Sequence, residues 1–250
     1  YFISDAHLGV PVKGGEERER DLIVFLERIG DDAETLFIVG DLFDFWIEYR
    51  RLIRSEYFRV LCALAQLRRR GVNLHYVAGN HDFALGPFLS AEMGFQLHAR
   101  AFSGTVQGKQ LYVTHGDGLL PADVGHRMLR PILRSPVSQW FYKLLHPAIG
   151  IGVAAMASAA SRRVSRAALR RSVLEGYRHQ ARRMLDKGND IVVMGHTHTA
   201  ELYESEGKTY CNSGEWIRVY NYGVLSEGAM TLWRYRPGTE PEPLQARSWK

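Results

Sequence analysis

Cysteine is scarce in this chain: only Cys62 and Cys211 occur, far apart. Two isolated thiols exclude a disulfide framework and a zinc site built on paired cysteines, and they suit a reducing compartment. Long apolar runs are missing too. Residues 144–161 hold no Asp, Glu, Lys or Arg, but the stretch is rich in Ala and Gly and contains His146 and Pro147, so no membrane-spanning helix is expected there. No signal-peptide pattern, internal repeat or low-complexity tract is found. The chain opens Tyr-Phe-Ile-Ser-Asp without an initiator Met, so a few preceding residues are expected.

What is present is ordinary in bulk. The 250 residues are 46% hydrophobic, enough for one large domain, or one domain with an appendage. The net charge of +5 points to anionic partners: phosphates, nucleic acid or an acidic membrane surface.

Short apolar runs recur, each closed by a polar or Gly-containing loop. Leu36-Phe37-Ile38-Val39 leads into Gly40-Asp41, and Leu74-His75-Tyr76-Val77-Ala78 into Gly79-Asn80. Leu111-Tyr112-Val113-Thr114 leads into His115-Gly116, and Ile191-Val192-Val193-Met194 into Gly195-His196. Four or five β-branched or aromatic residues bounded by such loops read as buried strands. Helical periodicity fills residues 17–29, 56–69 and 172–187. Strands alternating with helices predict an α/β layered fold, with ligands bound at the carboxyl ends of the strands. Residues 121–171 break the rhythm and read as a helical cap inserted between core segments 1–120 and 172–236. Residues 237–250, with Pro237, Pro241 and Pro243, read as an irregular or peripheral tail.

Every strand run ends in a candidate metal ligand. The set is Asp5, His7, Asp41, Asn80, His115, His196 and His198. Hard divalent ions take oxygen ligands, and imidazole suits Mn, Fe and Zn. Asp5/His7 and His196/His198 are spaced i, i+2, which in extended backbone puts both side chains on one face. Singly, each residue is a common turn or strand-end residue. Five such blocks in this order, each after an apolar run, point to a metal cleft.

Asp5-Ala6-His7, Gly40-Asp41-Leu42-Phe43-Asp44, Gly79-Asn80-His81-Asp82, His115-Gly116-Asp117 and Gly195-His196-Thr197-His198 resemble the five blocks of the calcineurin-like metallophosphoesterase family. The resemblance implies a four-layer α/β/β/α sandwich with two metal ions. Asp5, His7, Asp41 and His198 would hold one; Asp41, Asn80, His115 and His196 the other, with Asp41 bridging. Two cations about 3.5–4 Å apart can activate a water and neutralise phosphoryl oxygens. His81 would protonate the leaving oxygen, and Asp44 would orient His81 as a carboxylate–imidazole pair. Asp82 and Asp117 would support the ligand loops.

The superfamily acts on many phosphoesters. Protein phosphatases of this family carry Arg-Gly after the second acid of the second block, whereas here Phe45-Trp46 follows Asp44. The block from Gly40 to Ile47, Asp123 after His115-Gly116-Asp117, and the cap length resemble the bacterial UDP-2,3-diacylglucosamine hydrolases of lipid A synthesis. That resemblance implies cleavage of a nucleotide-linked glycolipid to UMP and lipid X, at the cytoplasmic surface of the inner membrane. Leu129, Ile132, Leu133, Trp140, Phe141 and Leu144 could line an acyl groove. Asp123 and His126 would meet the sugar phosphate, and Arg163, Arg166 and Arg170, on one helical face, would meet phosphates or an anionic leaflet. The chain departs from those enzymes in carrying His81 and Asp44 where they carry Arg and Glu. Mn²⁺ is the expected ion, with Fe²⁺ and Zn²⁺ as alternatives. A phosphodiesterase for a soluble or nucleic-acid substrate is the competing reading, although no nucleic-acid module is recognised. A non-catalytic scaffold would be expected to have lost ligands, and all seven are present.

Overall fold

The computed structural model describes residues 1–10, 14–49, 52–120, 135–144, 152, 171–244 and 247–248. Two sheets stack face to face. The first is built from β1 (Phe2–Ile3), β2 (Thr35–Ile38), β4 (Asn73–Val77), β6 (Gln96–His98), β12 (Asn221–Ser226), β13 (Ala229–Arg234) and β14 (Glu242–Leu244), in the spatial order β14-β13-β12-β1-β2-β4-β6. The second contains β7 (Ala101–Val106), β8 (Lys109–Thr114), β9 (Ile191–Met194), β10 (Glu201–Ser205), β11 (Lys208–Asn212) and β15 (Arg247–Ser248), in the order β15-β10-β11-β9-β8-β7. A small ribbon pairs β3 (Trp46–Ile47) with β5 (Asp82–Ala84). The described helices longer than one turn are α1 (Gly15–Ile29), α2 (Phe58–Arg69), α3 (Pro136–Leu144) and α4 (Arg171–Leu185).

Side-chain alternation explains the layering. In β2, Leu36 and Ile38 turn to one core and Phe37 to another, because successive strand residues point to opposite faces. The first core is shared with Leu22, Phe25, Leu26 and Ile29 of α1 and with Val60, Leu64 and Leu67 of α2. Those α1 positions lie at i, i+3, i+4 and i+7, one apolar stripe, and Glu16 and Glu17 in its first turn complement the helix dipole. Phe37 instead meets Phe2, Val77, Val113 and Val193 between the two sheets. On the far side, Val192 and Met194 of β9 pack on Tyr177, Ala181 and Leu185 of α4, spaced every four residues. The order is helix, sheet, sheet, helix. Each fully buried Leu or Phe contributes about 1.5–3 kcal/mol relative to exposure.

Parallel pairing places the site. β1, β2 and β4 run parallel in the first sheet, and β8 and β9 in the second. The carboxyl ends of all five therefore deliver their following loops to one edge of the sandwich.

The tail departs from expectation. Residues 242–244 form β14 on β13, and residues 247–248 pair with β10, so the tail contributes an edge strand to each sheet. Proline discourages a strand reading because it cannot donate to a ladder. At an edge that missing N–H can face outward, which is how Pro243 sits opposite Trp233. Within 121–171, residues 136–144 are helical, while Asp123, His126, Leu129, Ile132, Leu133, Arg163, Arg166 and Arg170 lie outside the described residues. Among the described residues no helix is long and apolar enough to cross a membrane.

Candidate metal centre

The i, i+2 pairs reach one cleft by a different route from the one expected. Asp5 (φ 53°), His7 (φ 43°), Asp41 (φ 54°), His196 (φ 68°) and His198 (φ 56°) are all in the left-handed region, not extended. A non-Gly residue held there costs about 1–3 kcal/mol, and such strain clusters at functional sites. Main-chain bonds enforce the turns: Asp5 N donates to Gly40 O (3.1 Å), His7 N to Asp41 O (3.0 Å) and Gly195 N to His115 O (3.1 Å). Gly79 is required by close approach, since a Cβ there would overlap the Asp41 carboxylate.

The structure brings all seven side chains together. His7 Nε2 lies 3.8 Å from Asp5 Oδ1 and 3.9 Å from Asp41 Oδ2. His198 Nε2 is 3.6 Å from Asp5 Oδ1, and His115 Nε2 is 3.3 Å from Asp41 Oδ2. Asn80 Oδ1 stands 3.1 Å from His115 Nε2 and 3.0 Å from His196 Nδ1. Each carboxylate is anchored by one oxygen only. Asp5 Oδ2 accepts from His196 N (2.9 Å) and Asp41 Oδ1 from His81 N (2.8 Å). The other oxygen of each faces the histidines.

These residues fit divalent cations. Asp5 Oδ1 and both ring nitrogens of His7 are buried without a hydrogen-bond partner. Unmet buried polar atoms on a carboxylate and an imidazole are costly unless a cation takes their lone pairs. The electrostatics agree. Burial alone would lower the His115 pKa, but Asp41, Asp5 and Asp117 outweigh it and hold the ring protonated up to about 10. Burial would raise Asp5, yet His198 and His115 hold it well below the carboxylate range. Burial, then His115, pulls His196 down to about 4. Two buried carboxylates are thus balanced by imidazole protons where cations would sit.

A surrounding layer fixes the ligands. A carbonyl can only accept, so His115 Nδ1–H donates to Val39 O (2.8 Å) and Nε2 is turned to the cleft. Asp82 Oδ2 accepts from both Asp41 N and Gly79 N (2.9 Å each), and its Oδ1 from the Tyr76 hydroxyl (2.8 Å), tying two ligand loops together. Burial, then the neighbouring Asp41, pushes Asp82 up to about 6. Glu215, absent from the sequence-based set, holds His198 Nδ1 at 3.1 Å. No spacing signals it, because it follows β11 in an irregular loop. Glu215→Ala is expected to weaken metal binding about 10–100-fold in a calorimetric titration; native affinity in that variant would remove Glu215 from the site.

His81 and Asp44 need correction. The expected carboxylate–imidazole pair is not the hydrogen bond formed: the Asp44 carboxylate is 3.9 Å from His81 Nδ1, while the Asp44 main-chain carbonyl is at 2.7 Å. The loop leading into β3 turns its carbonyl onto the ring as the hydrogen-bond acceptor and leaves the Asp44 carboxylate within ion-pair distance of it. Nδ1 therefore carries the hydrogen and Nε2 is the exchangeable position. His81 packs edge-on to His7, with centroids 4.7 Å apart.

Residues 1–200 match the calcineurin-like phosphoesterase family. The UDP-2,3-diacylglucosamine hydrolase of Porphyromonas gingivalis is 30% identical, over 93% of this chain and 95% of that protein. The enzyme of the same name from Haemophilus influenzae is 28% identical, over 88% and 91%. Among solved structures, Vacuolar Protein Sorting 29 from Cryptosporidium parvum superposes with a TM-score of 0.50 at 16% identity, over 97% of this chain and 93% of that one, a likeness of fold alone. The sandwich and the match along residues 1–200 together make this chain a member of the calcineurin-like phosphoesterase family, a metal-dependent hydrolase of phosphoester or diphosphate bonds.

Proposed function

We propose that the chain hydrolyses the diphosphate of UDP-2,3-diacylglucosamine, releasing UMP and lipid X for lipid A synthesis. The observation that carries this is a cleft where seven candidate ligand side chains converge, on a chain that aligns nearly end to end with hydrolases named for that substrate. Asp5, His7, Asp41 and His198 would hold one divalent ion, and Asp41, Asn80, His115 and His196 a second, with Mn²⁺ as the ion. When bound, such a pair supplies an activated water and positive charge against the phosphoryl oxygens. The chain's own residues do the rest. His81 N fixes Asp41 Oδ1, Val39 O and Glu215 set the tautomers of His115 and His198, and His81 Nε2 delivers a proton to the leaving oxygen.

The acyl chains need apolar surface, worth about 0.8 kcal/mol per buried CH₂. α3 offers it. Val137, Trp140, Phe141 and Leu144 lie at i, i+3, i+4 and i+7 and are all exposed. Asp123 and His126 would meet the sugar phosphate, and Arg163, Arg166 and Arg170 phosphates or an anionic leaflet, a role that would put the enzyme peripherally on the cytoplasmic side of the inner membrane.

The test is UMP release from UDP-2,3-diacylglucosamine by the purified, Mn²⁺-loaded protein. Release is expected. No release, with hydrolysis of a simple phosphodiester retained, would overturn the substrate and leave the phosphoester chemistry standing.

A further inference from the structure

Away from the ligand cleft, a cavity of about 270 Å³ opens between residues 218–220 and 234–237, where β13 ends. None of the seven candidate ligands lines it. Its walls carry three arginines, Arg218, Arg234 and Arg236, and two tyrosines, Tyr220 and Tyr235. Arg236 is paired with Glu242 at 2.7 Å. Arg218 and Arg234 form no ion pair among the described residues, and Arg234 Nε is buried without an acceptor. The wall behind is stiff. Buried Trp216 stacks on Tyr220, with centroids 5.1 Å apart at 15°, and on Tyr235, at 5.7 Å and 23°. The carboxylates near the rim are Glu242, paired with Arg236, and Asp21 and Glu17 beside Tyr220, while the lining itself, among the described residues, carries three guanidiniums and no carboxylate.

We propose that this cavity is an oxyanion site that takes a phosphate group. Arg218 and Arg234 bring guanidiniums without a carboxylate partner among the described residues to the cavity wall, and a planar guanidinium fork matches phosphate oxygens two at a time. Size sets the ligand: small-molecule sites begin at about 300 Å³, so this cavity suits one phosphate with its ester carbon, not a whole nucleotide. The same chemistry is offered by a free phosphate or phosphomonoester and by the headgroup phosphate of an anionic lipid. The site stands independently of the diphosphate substrate, because its residues and those of the metal cleft do not overlap.

Two arms test it. In the first, inorganic phosphate is titrated calorimetrically into the metal-loaded protein. One phosphate site should weaken at least ten-fold in Arg218→Gln/Arg234→Gln, and less in Arg218→Lys/Arg234→Lys. In the second, co-sedimentation with phosphatidylcholine vesicles containing phosphatidylglycerol should fall at least ten-fold in the Gln variant if the headgroup is the source. A response to the Gln substitutions in either arm supports the site and names its source; the same binding by native and Gln proteins in both arms overturns it. If the Gln variant does not fold, the native chain decides. The Arg234 Nε–Hε resonance, in protein loaded with a diamagnetic divalent ion, should shift during titration with phosphate or with a short-chain phosphatidylglycerol. A resonance unmoved by both overturns the proposal.

Discussion

Asp41→Asn is expected to abolish turnover and, in the same protein, the rise in melting temperature that divalent metal produces. The substitution is close to isosteric, and the local fold should tolerate it. The amide oxygen can still accept from His81 N, and Asp41 N, bound to Asp82, is untouched. What disappears is a buried negative charge. Its Oδ2 is 3.3 Å from His115 Nε2 and 3.9 Å from His7 Nε2, so it lies between the two proposed ligand sets. Charge stabilisation of several kcal/mol in the transition state corresponds to a rate loss of roughly 10³-fold or more. A metal held at about 100 times its Kd adds roughly 2.7 kcal/mol to the folded state. In a chain of this size that is a rise of about 5–11 °C. Scanning calorimetry with and without Mn²⁺ should show that rise in the native protein and little of it in the variant. Native turnover in Asp41→Asn, or an undiminished thermal shift, would sink the bridging role.

The sandwich was legible because its buried strands have nowhere to be polar. Ile191-Val192-Val193-Met194 is apolar on both sides because β9 packs against the other sheet on one face and α4 on the other. The strands from β10 to β14 were harder to see. They mix polar and apolar residues, and proline in the last of them argues against pairing until its edge position is known. The seven candidate ligands were legible as residue types, but the geometry that brings them together was not. Spacing i, i+2 fits an extended strand, and nothing in Asp5-Ala6-His7 announces that both residues turn left-handed. The partners of the histidines were the least legible. Val39 and Asp44 act through main-chain carbonyls, which every residue possesses, and Glu215 reaches His198 from a separate loop. Side-chain identity carries no trace of such contacts.

His81→Ala is expected to lower kcat by an amount that depends on the leaving group. With Nδ1–H engaged by the Asp44 carbonyl at 2.7 Å, only Nε2 can pass a proton. Proton delivery contributes about 10²–10⁴-fold, and its worth grows with the basicity of the oxygen that departs. In the proposed diphosphate cleavage the leaving oxygen belongs to a phosphate monoester, whose second pKa is about 6. It leaves readily near neutral pH, so the loss should fall near the lower end, about 10²-fold. A simple alkyl phosphodiester expels a far more basic oxygen, and there the loss should approach about 10⁴-fold. KM should change little in both assays, because His81 is assigned to the departing atom and not to substrate anchoring. Stability should fall by about 1–3 kcal/mol, since the buried Asp44 carbonyl loses its donor. Paired kinetics on the two substrates separate the explanations. An equal loss on both would mean that His81 acts through charge or packing against His7, 4.7 Å away, and would remove it as the proton donor.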